Sequence, residues 1–392
     1  MVTRTAFYKL QRRLIEPRRF IQVLAGPRQT GKTTIARQLV ESLGVPSHYA
    51  SADEPALKDS TWIAQQWEIA RLRNNAPSVL ILDEVQKLTA WSETVKRLWD
   101  EDTAAAVDVR VVLLGSSPLL VQRGLAESLT GRFEVIPVTH WSYPEMRDAF
   151  GWSLEQYVYH GGYPGAAPLI EEPDRWARYV LDSLIETSVS RDVLLMSRVD
   201  KPALLRRLFD LGCSYSGRIL SYQKMLGQLQ DAGNTTTLAH YLELLGNAGL
   251  LIGLQKYSGQ NVRRRASSPK FVAMNSALVT AMRGVPFNDA RRDPAYWGQL
   301  VESAVGATLA NGIIGQDIEL HYWAANNKEV DYVLRRGKKL VAIEVKSGRR
   351  RDGLPGIQQF CREFPKARPL LVGADGIPLV EFFEAPVEHW LS

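Results

Sequence analysis

Along the first third of the chain, short continuous apolar runs alternate with stretches of helical period. The runs lie at residues 20–25, 47–52, 79–82, 109–114 and 135–138. Apolar runs of this length, separated by helices, predict strands buried on both faces of a parallel sheet. Residues 1–142 are therefore expected to form a doubly wound α/β domain.

Residues 143–200 read as helical, broken by Gly161-Gly162-Tyr163-Pro164-Gly165. That cluster is a turn, either a plain connector or a shaped loop. Residues 201–258 return to helical period, with Leu204, Leu205, Leu208, Phe209 and Leu211 on the first helix. A second helix is expected at 221–229. Asn234 is placed as the N-cap of a third, which carries Leu238, Tyr241, Leu242 and Leu245. A strand at 250–257 follows Gly249. Three short helices and a ribbon predict a winged-helix-like region over 201–290. Asp293 and Pro294 open the last segment, 291–392. It reads as helix 295–311, strands 318–323, 329–335 and 340–346, helix 354–364 and strand 369–372.

The length of 392 residues allows two to three domains at ~150 residues each. Hydrophobic residues at 45% and charged residues at 23% argue against disorder. The 48 Lys and Arg exceed the 42 Asp and Glu by +6, which permits nucleic acid without requiring it. Cys213 and Cys361 cannot build a disulfide framework and carry no metal-ligand spacing. No apolar stretch nears the ~18 residues that span a bilayer, and no apolar leader core precedes the first run. The expectation is a cytoplasmic protein with no membrane partner. Histidine spacing gives no zinc signature.

Gly26-Pro27-Arg28-Gln29-Thr30-Gly31-Lys32-Thr33 fits GxxxxGK[ST], with a strand before it and a helix after it. Backbone N–H groups of such a loop curl around phosphate oxygens, and the helix directs its positive end at them. Residues 26–34, through Thr34, are the expected ATP-binding segment. Lys32 would reach the β- and γ-phosphates and the Thr33 hydroxyl would bind Mg²⁺. The apolar run at 79–82 delivers Asp83 to the end of its strand, where ligands of α/β sheets bind. Asp83 would hold Mg²⁺ through water, and Glu84 would polarise the attacking water. The run ending in Gly115 leads to Ser116, chosen over its neighbour Ser117 to contact the γ-phosphate or the water. Arg132 is a candidate arginine finger or structural clamp, with Arg191 as an alternative.

This ordered set resembles bacterial and archaeal AAA-type P-loop ATPases whose C-terminal half is a domain of unknown function. The likeness rests on the P-loop, Asp83-Glu84, Gly115-Ser116-Ser117, Leu129-Thr130-Gly131-Arg132 and Gly161-Gly162-Tyr163-Pro164, and it covers nearly the whole chain. It implies an ATPase core, a winged-helix-like middle and a restriction-endonuclease-like end, but no settled biological role. AAA-type ATPases commonly place an Arg in a neighbour's site, so the resemblance also implies a homo-oligomer.

Strand period puts Glu344 and Lys346 on one face of 340–346, and Asp331 on one face of 329–335 with Glu329 and Val333. Two neighbouring strands would gather Asp331, Glu344 and Lys346, with Glu302 arriving from the preceding helix. The carboxylates would bind Mg²⁺ or Mn²⁺, and Lys346 would orient or deprotonate a water. The order of elements and Asp331 followed by Glu344-x-Lys346 resemble PD-(D/E)xK nucleases, with Val330 where a Pro usually precedes the acid. The bland alternative is an exposed strand with an alternating charged face.

Arg12-Arg13, Arg18-Arg19, Arg263 to Arg265, Arg291-Arg292 and Arg349 to Arg351 suit phosphate, or plain solvated surface. Trp62, Trp67, Trp91, Trp99 and Trp297 sit among apolar neighbours and are expected in the core. The expected function is Mg²⁺-dependent ATP binding and hydrolysis, coupled to binding or metal-dependent cleavage of nucleic acid, DNA rather than RNA. The alternative is an ATP-driven switch that binds DNA or a partner protein through a catalytically inactive nuclease-like domain.

Overall fold

The computed structural model describes residues 3–53, 60–72, 77–115, 125, 128–193, 199–231, 233–259, 267–348 and 354–392. The chain divides into two compact units, Met1–Val138 and Thr139–Ser392.

The first unit is built on five parallel strands: β1 (Ile21–Ala25), β2 (Ser47–Ser51), β3 (Ser78–Asp83), β4 (Val109–Gly115) and β5 (Phe133–Pro137). Their order across the sheet is β2-β3-β4-β1-β5. Helices α1 (Thr5–Ile15), α2 (Lys32–Leu43), α3 (Ser60–Leu72) and α4 (Trp91–Ala104) cover it. Alternate residues feed two separate cores, as a pleated strand requires. Ile21, Val23, Leu80, Leu82, Val111 and Leu113 pack with Trp67, Trp91 and Trp99 on α3 and α4. Leu24, Val79, Ile81, Val112 and Leu114 pack on the other face with Leu10 and Leu14 of α1 and Ile35 and Leu39 of α2. Both faces of the inner strands are covered, so β3 reads as an apolar run, while the run expected at 47–52 turns out to be a half-buried, largely polar edge strand. Trp67 keeps its indole N–H satisfied by donating to buried Asp102 at 2.7 Å.

The second unit begins with short helices at Tyr143–Phe150 and Leu154–His160, both entered through Ser capping boxes. The turn after them is tightly packed: Gly162 N–H donates to Asn275 Oδ1 at 3.1 Å, and the same oxygen caps the helix Ser276–Arg283. Helices Pro202–Ser214, Tyr222–Gln228 and Thr235–Asn247 follow, then the antiparallel ribbon β6 (Leu251–Leu254) and β7 (Lys270–Ala273). Asn234 Oδ1 accepts from Thr237 N–H at 2.8 Å and caps the third of these helices. Ile219, between the first two, bridges to Lys270 on β7.

A 19-residue helix, Pro294–Gly312, opens the last part, with Asp293 accepting from two first-turn N–H groups. Four strands then form one sheet: β8 (Glu319–Ala325), β9 (Lys328–Arg336), β10 (Lys339–Lys346) and β11 (Ala367–Gly373), in the order β11-β10-β9-β8. The first three are antiparallel neighbours, while β10 and β11 run parallel. That parallel pair needs a crossover, supplied by the helix Pro355–Glu363. Trp323, Val330, Val333, Ala342 and Phe360 form the core beneath that helix.

Candidate functional sites

The phosphate-binding loop leaves the C-terminal end of β1 and enters α2. Gly26 has no alternative, because a Cβ there would lie 1.9 Å from the Val138 carbonyl oxygen. Gly31, immediately before α2, sits at φ +87°, a conformation other residues adopt only with strain. Gln29 adopts φ +58° without that freedom, so the loop stores some strain. Its shape is held by short bonds. Thr30 Oγ1 donates to Pro27 O at 2.9 Å, and Lys32 Nζ donates to Gly26 O at 2.9 Å and Pro27 O at 2.6 Å. Buried Arg4, just before α1, donates to Thr30 O at 2.7 Å. Sequence reasoning missed Arg4, since nothing local marks an Arg outside the motif as its clamp.

Asp83 ends β3 and is 5% exposed. Its Oδ2 accepts from Thr33 Oγ1 at 2.9 Å and from the Tyr49 hydroxyl at 2.7 Å. Tyr49 lies on the neighbouring β2, and sequence reasoning missed it as well. Burial, reinforced by the bond to Asp83, pushes the Tyr49 phenol well above its ordinary pKa, so it stays a donor. Glu84 turns into the left-handed region at φ +56°, which carries its side chain off the strand direction. Its Oε2 accepts from Gln86 Nε2 at 2.7 Å and lies 3.8 Å from Lys87 Nζ. The Thr33 hydroxyl and the Asp83 carboxylate are hard oxygen donors side by side, and that set suits Mg²⁺.

Arg132 is placed elsewhere. Its backbone carbonyl accepts from Ile21 N–H, and Phe133 pairs with Ile21, so it stands at the N-terminal ends of β1 and β5. The phosphate loop leaves the opposite end of β1, about 13 Å away at the usual rise per strand residue. The guanidinium grips Asp100 on α4 through two bonds, of 2.7 and 3.0 Å. Within its own chain Arg132 is thus paired with Asp100 at the end of the sheet opposite the nucleotide loop. Ser116 and Ser117 lie outside the described residues, as do the Arg263 to Arg265 and Arg349 to Arg351 clusters. The side chain of Arg191 does too.

In the second unit, Glu302 from the helix Pro294–Gly312 and Asp331 and Glu329 from β9 converge. One carboxylate oxygen of each lies within 4.8 Å of the others. Asp331 Oδ2 accepts from Val345 N–H at 2.8 Å, which ties it to β10. Glu344 pairs with Lys346 at 2.8 Å, and its Oε2 is buried with no hydrogen-bond partner among the described residues. Burial, then the charge of Asp331, pushes the Glu344 carboxyl up to about 7. The same two causes push Glu302 up to about 8.

The centre of this cluster is a lysine. Lys270 of β7 is fully buried, and its Nζ lies 2.7 Å from Glu302 Oε1, 2.9 Å from Glu329 Oε1 and 3.4 Å from Asp331 Oδ1. Burial opposes its charge, but the fields of Asp331 and Glu302 outweigh that and hold its pKa well above the ordinary value. Of the residues expected to hold Mg²⁺ or Mn²⁺, Glu302 and Asp331 lie in this cluster together with Glu329, while Glu344 is on the neighbouring β10, paired with Lys346. The Lys270 ammonium stands among the acids. Lys270 was hidden in the sequence because its neighbours on β7 are apolar and read only as ribbon.

The phosphate loop between β1 and α2, on a parallel five-stranded sheet, gives the first unit the form of a P-loop domain. Residues 18–147 match the family described as the AAA domain. Residues 151–289 and 297–377 match two domains of unknown function, DUF8612 and DUF4143. Over 351 residues the chain is 27% identical to an uncharacterised protein of Mycobacterium tuberculosis, spanning 87% of this chain and 73% of that one. An uncharacterised protein of Mycobacterium bovis matches with the same figures. Among solved structures, a Walker-type ATPase of Pyrococcus abyssi superposes with a TM-score of 0.44 at 14% identity, over 71% of this chain and 94% of that one. The RuvB Holliday junction branch migration motor of Thermotoga maritima gives 0.31 at 20% identity, over 63% and 86%. No helix among the described residues is long and apolar enough to cross a membrane.

Proposed function

We propose that this chain binds ATP with Mg²⁺ and hydrolyses it, and that the nucleotide state governs nucleic-acid binding by the second unit. The observation that carries the reading is the Thr33 hydroxyl bonded to Asp83 at 2.9 Å, at the mouth of the phosphate loop. Lys32 would exchange its bonds to loop carbonyls for β- and γ-phosphate oxygens. Thr33 and Asp83 would hold Mg²⁺, which neutralises charge on the β- and γ-phosphates when bound. Glu84, steadied by Gln86, would accept a proton from the attacking water. Arg132 faces away from this site in its own chain, so a role in hydrolysis would require a second copy to present it.

Support for the nucleic-acid part comes from the three helices and ribbon of residues 202–273, which have the element order of a winged helix. The capped start of Thr235–Asn247 carries exposed Thr236 and His240, with Lys224 exposed on the helix before it. The α-β-β-β-α-β order of residues 294–373 and the gathering of Glu302, Asp331, Glu344 and Lys346 support a nuclease-like ancestry. Lys270 among the acids favours binding without cleavage, which is the switch form of the reading.

The test is ATP turnover by the full chain, alone and with single- or double-stranded DNA or RNA, beside Lys32→Ala and Glu84→Gln. Turnover lost in both variants and stimulated by one nucleic acid is expected. Turnover that survives Lys32→Ala overturns the site. Stimulation by no nucleic acid overturns the coupling.

A further inference from the structure

We propose that the Lys270 ammonium is the resident cation of the carboxylate cluster in the second unit. It stands where a divalent ion would be held and locks the β6–β7 ribbon to the four-stranded sheet. While Lys270 is in place, the cluster takes no metal. The inference concerns the second unit alone and stands whether or not that unit contacts nucleic acid.

Three carboxylate oxygens from two elements surround Nζ at 2.7, 2.9 and 3.4 Å, and an ammonium has three protons to give. The face of Tyr332 lies 5.1 Å from Nζ, and the Tyr332 hydroxyl donates to Glu302 O at 2.7 Å. An unpaired buried ammonium would be prohibitively costly, so these acids are what allow Lys270 to be buried. The reverse also holds. Acids crowded within 4.8 Å repel one another and need a positive charge among them. Either a metal or Lys270 can supply it, but not both. Metal–oxygen bonds of about 2.1 Å would draw the same oxygens around the space the ammonium occupies, and a dication there would face a buried like charge. The lysine is held by its backbone as well, since β7 pairs with β6 and with Ile219. Lys270 therefore works as a built-in counter-ion and as a tie between two parts of the unit.

Nucleotide-free full-length protein is titrated with Mn²⁺, read by the loss of the free-ion paramagnetic resonance signal. Wild type, Asp331→Asn, Lys270→Met and Lys270→Met/Asp331→Asn are compared. The expected result is no Mn²⁺ site in wild type that Asp331→Asn removes, one additional Mn²⁺ per chain in Lys270→Met, and loss of that additional site in the double variant. A wild-type Mn²⁺ site that Asp331→Asn removes overturns the proposal. So does a Lys270→Met chain that melts cooperatively yet binds no Mn²⁺. If Lys270→Met does not fold, the comparison of wild type with Asp331→Asn decides: equal Mn²⁺ binding by the two supports Lys270 as the resident cation.

Discussion

The Tyr49 hydroxyl donates to the same Asp83 oxygen that accepts from Thr33. One carboxylate atom thus links β2, β3 and the start of α2. Tyr49→Phe keeps the ring and removes the bond. Loss of a hydrogen bond to a charged acceptor costs about 1.5–3 kcal/mol, and the part-buried setting of Tyr49 puts this one toward the lower end. The first unit should melt earlier, and ATP turnover should need more Mg²⁺ because Asp83 is freer to turn. A Mg²⁺ titration of turnover checks this; an unchanged midpoint would count against the assignment of Asp83.

Glu84 and Lys32 should separate binding from chemistry. Lys32→Ala should abolish ATP binding in calorimetry. Glu84→Gln should keep ATP binding and lower turnover by about 100-fold or more, the scale of a lost general base. Equal loss of binding in both variants would remove Glu84 from that role.

Arg4 reaches the loop from outside the motif, donating to Thr30 O at 2.7 Å. Arg4→Ala should leave the motif complete but loosen it. A KM for ATP raised several-fold with little change in kcat is expected, read by steady-state kinetics. A kcat effect alone would place Arg4 elsewhere in the mechanism.

Arg132 and Asp100 form a partly exposed pair, and such pairs contribute about 1 kcal/mol or less. If Arg132 is only a clamp, Arg132→Ala and Asp100→Asn should change melting alike and leave turnover within about two-fold. Turnover lost in Arg132→Ala and kept in Asp100→Asn, and more so at high protein concentration, would reveal a trans finger.

The second unit should lose stability as pH rises from about 4.5 toward 8. In the unfolded chain Glu302 and Glu344 ionise near 4.5, but in the folded unit only near 8 and 7. Between those values the unfolded state releases protons first, so their contribution is full at low pH and lost as pH climbs through the folded values. Glu302→Gln removes one of these ionisations. Its melting temperature relative to wild type should therefore rise between pH 5 and 8, which calorimetry on the full chain can follow.

Much of the first unit was legible because its signals are local. The inner strand β3 is buried along its whole length and β4 nearly so, which makes their apolar runs easy to read, whereas the edge strand β2, Ser47–Ser51, is half-buried and largely polar. The loop needs Gly, Lys and Thr at fixed spacing, and the four apolar residues before Asp83 announce its strand. In the second unit, two-residue period correctly placed Glu344 and Lys346 together, and Asp331 beside them on β9. In the sequence Arg132 fits finger or clamp alike, and only its place on the sheet, paired with Asp100 at the end opposite the loop, bears on that choice.

The sequence by itself determined many of the elements, though not the helix Thr5–Ile15 or the strand Lys270–Ala273, and it determined the phosphate-loop motif and the acids that share a strand face, because periodicity and motif spacing are properties of contiguous residues. Only the tertiary structure decided that Arg4 clamps Thr30, that Tyr49 shares Asp83 with Thr33, and that Lys270 sits among Glu302, Glu329 and Asp331. Those partners are 26, 34 and 32 to 61 residues apart. No local preference records such a pairing. A buried charge finds its partner through the packing of whole elements, and which acid meets which base is fixed only when the sheets and helices close.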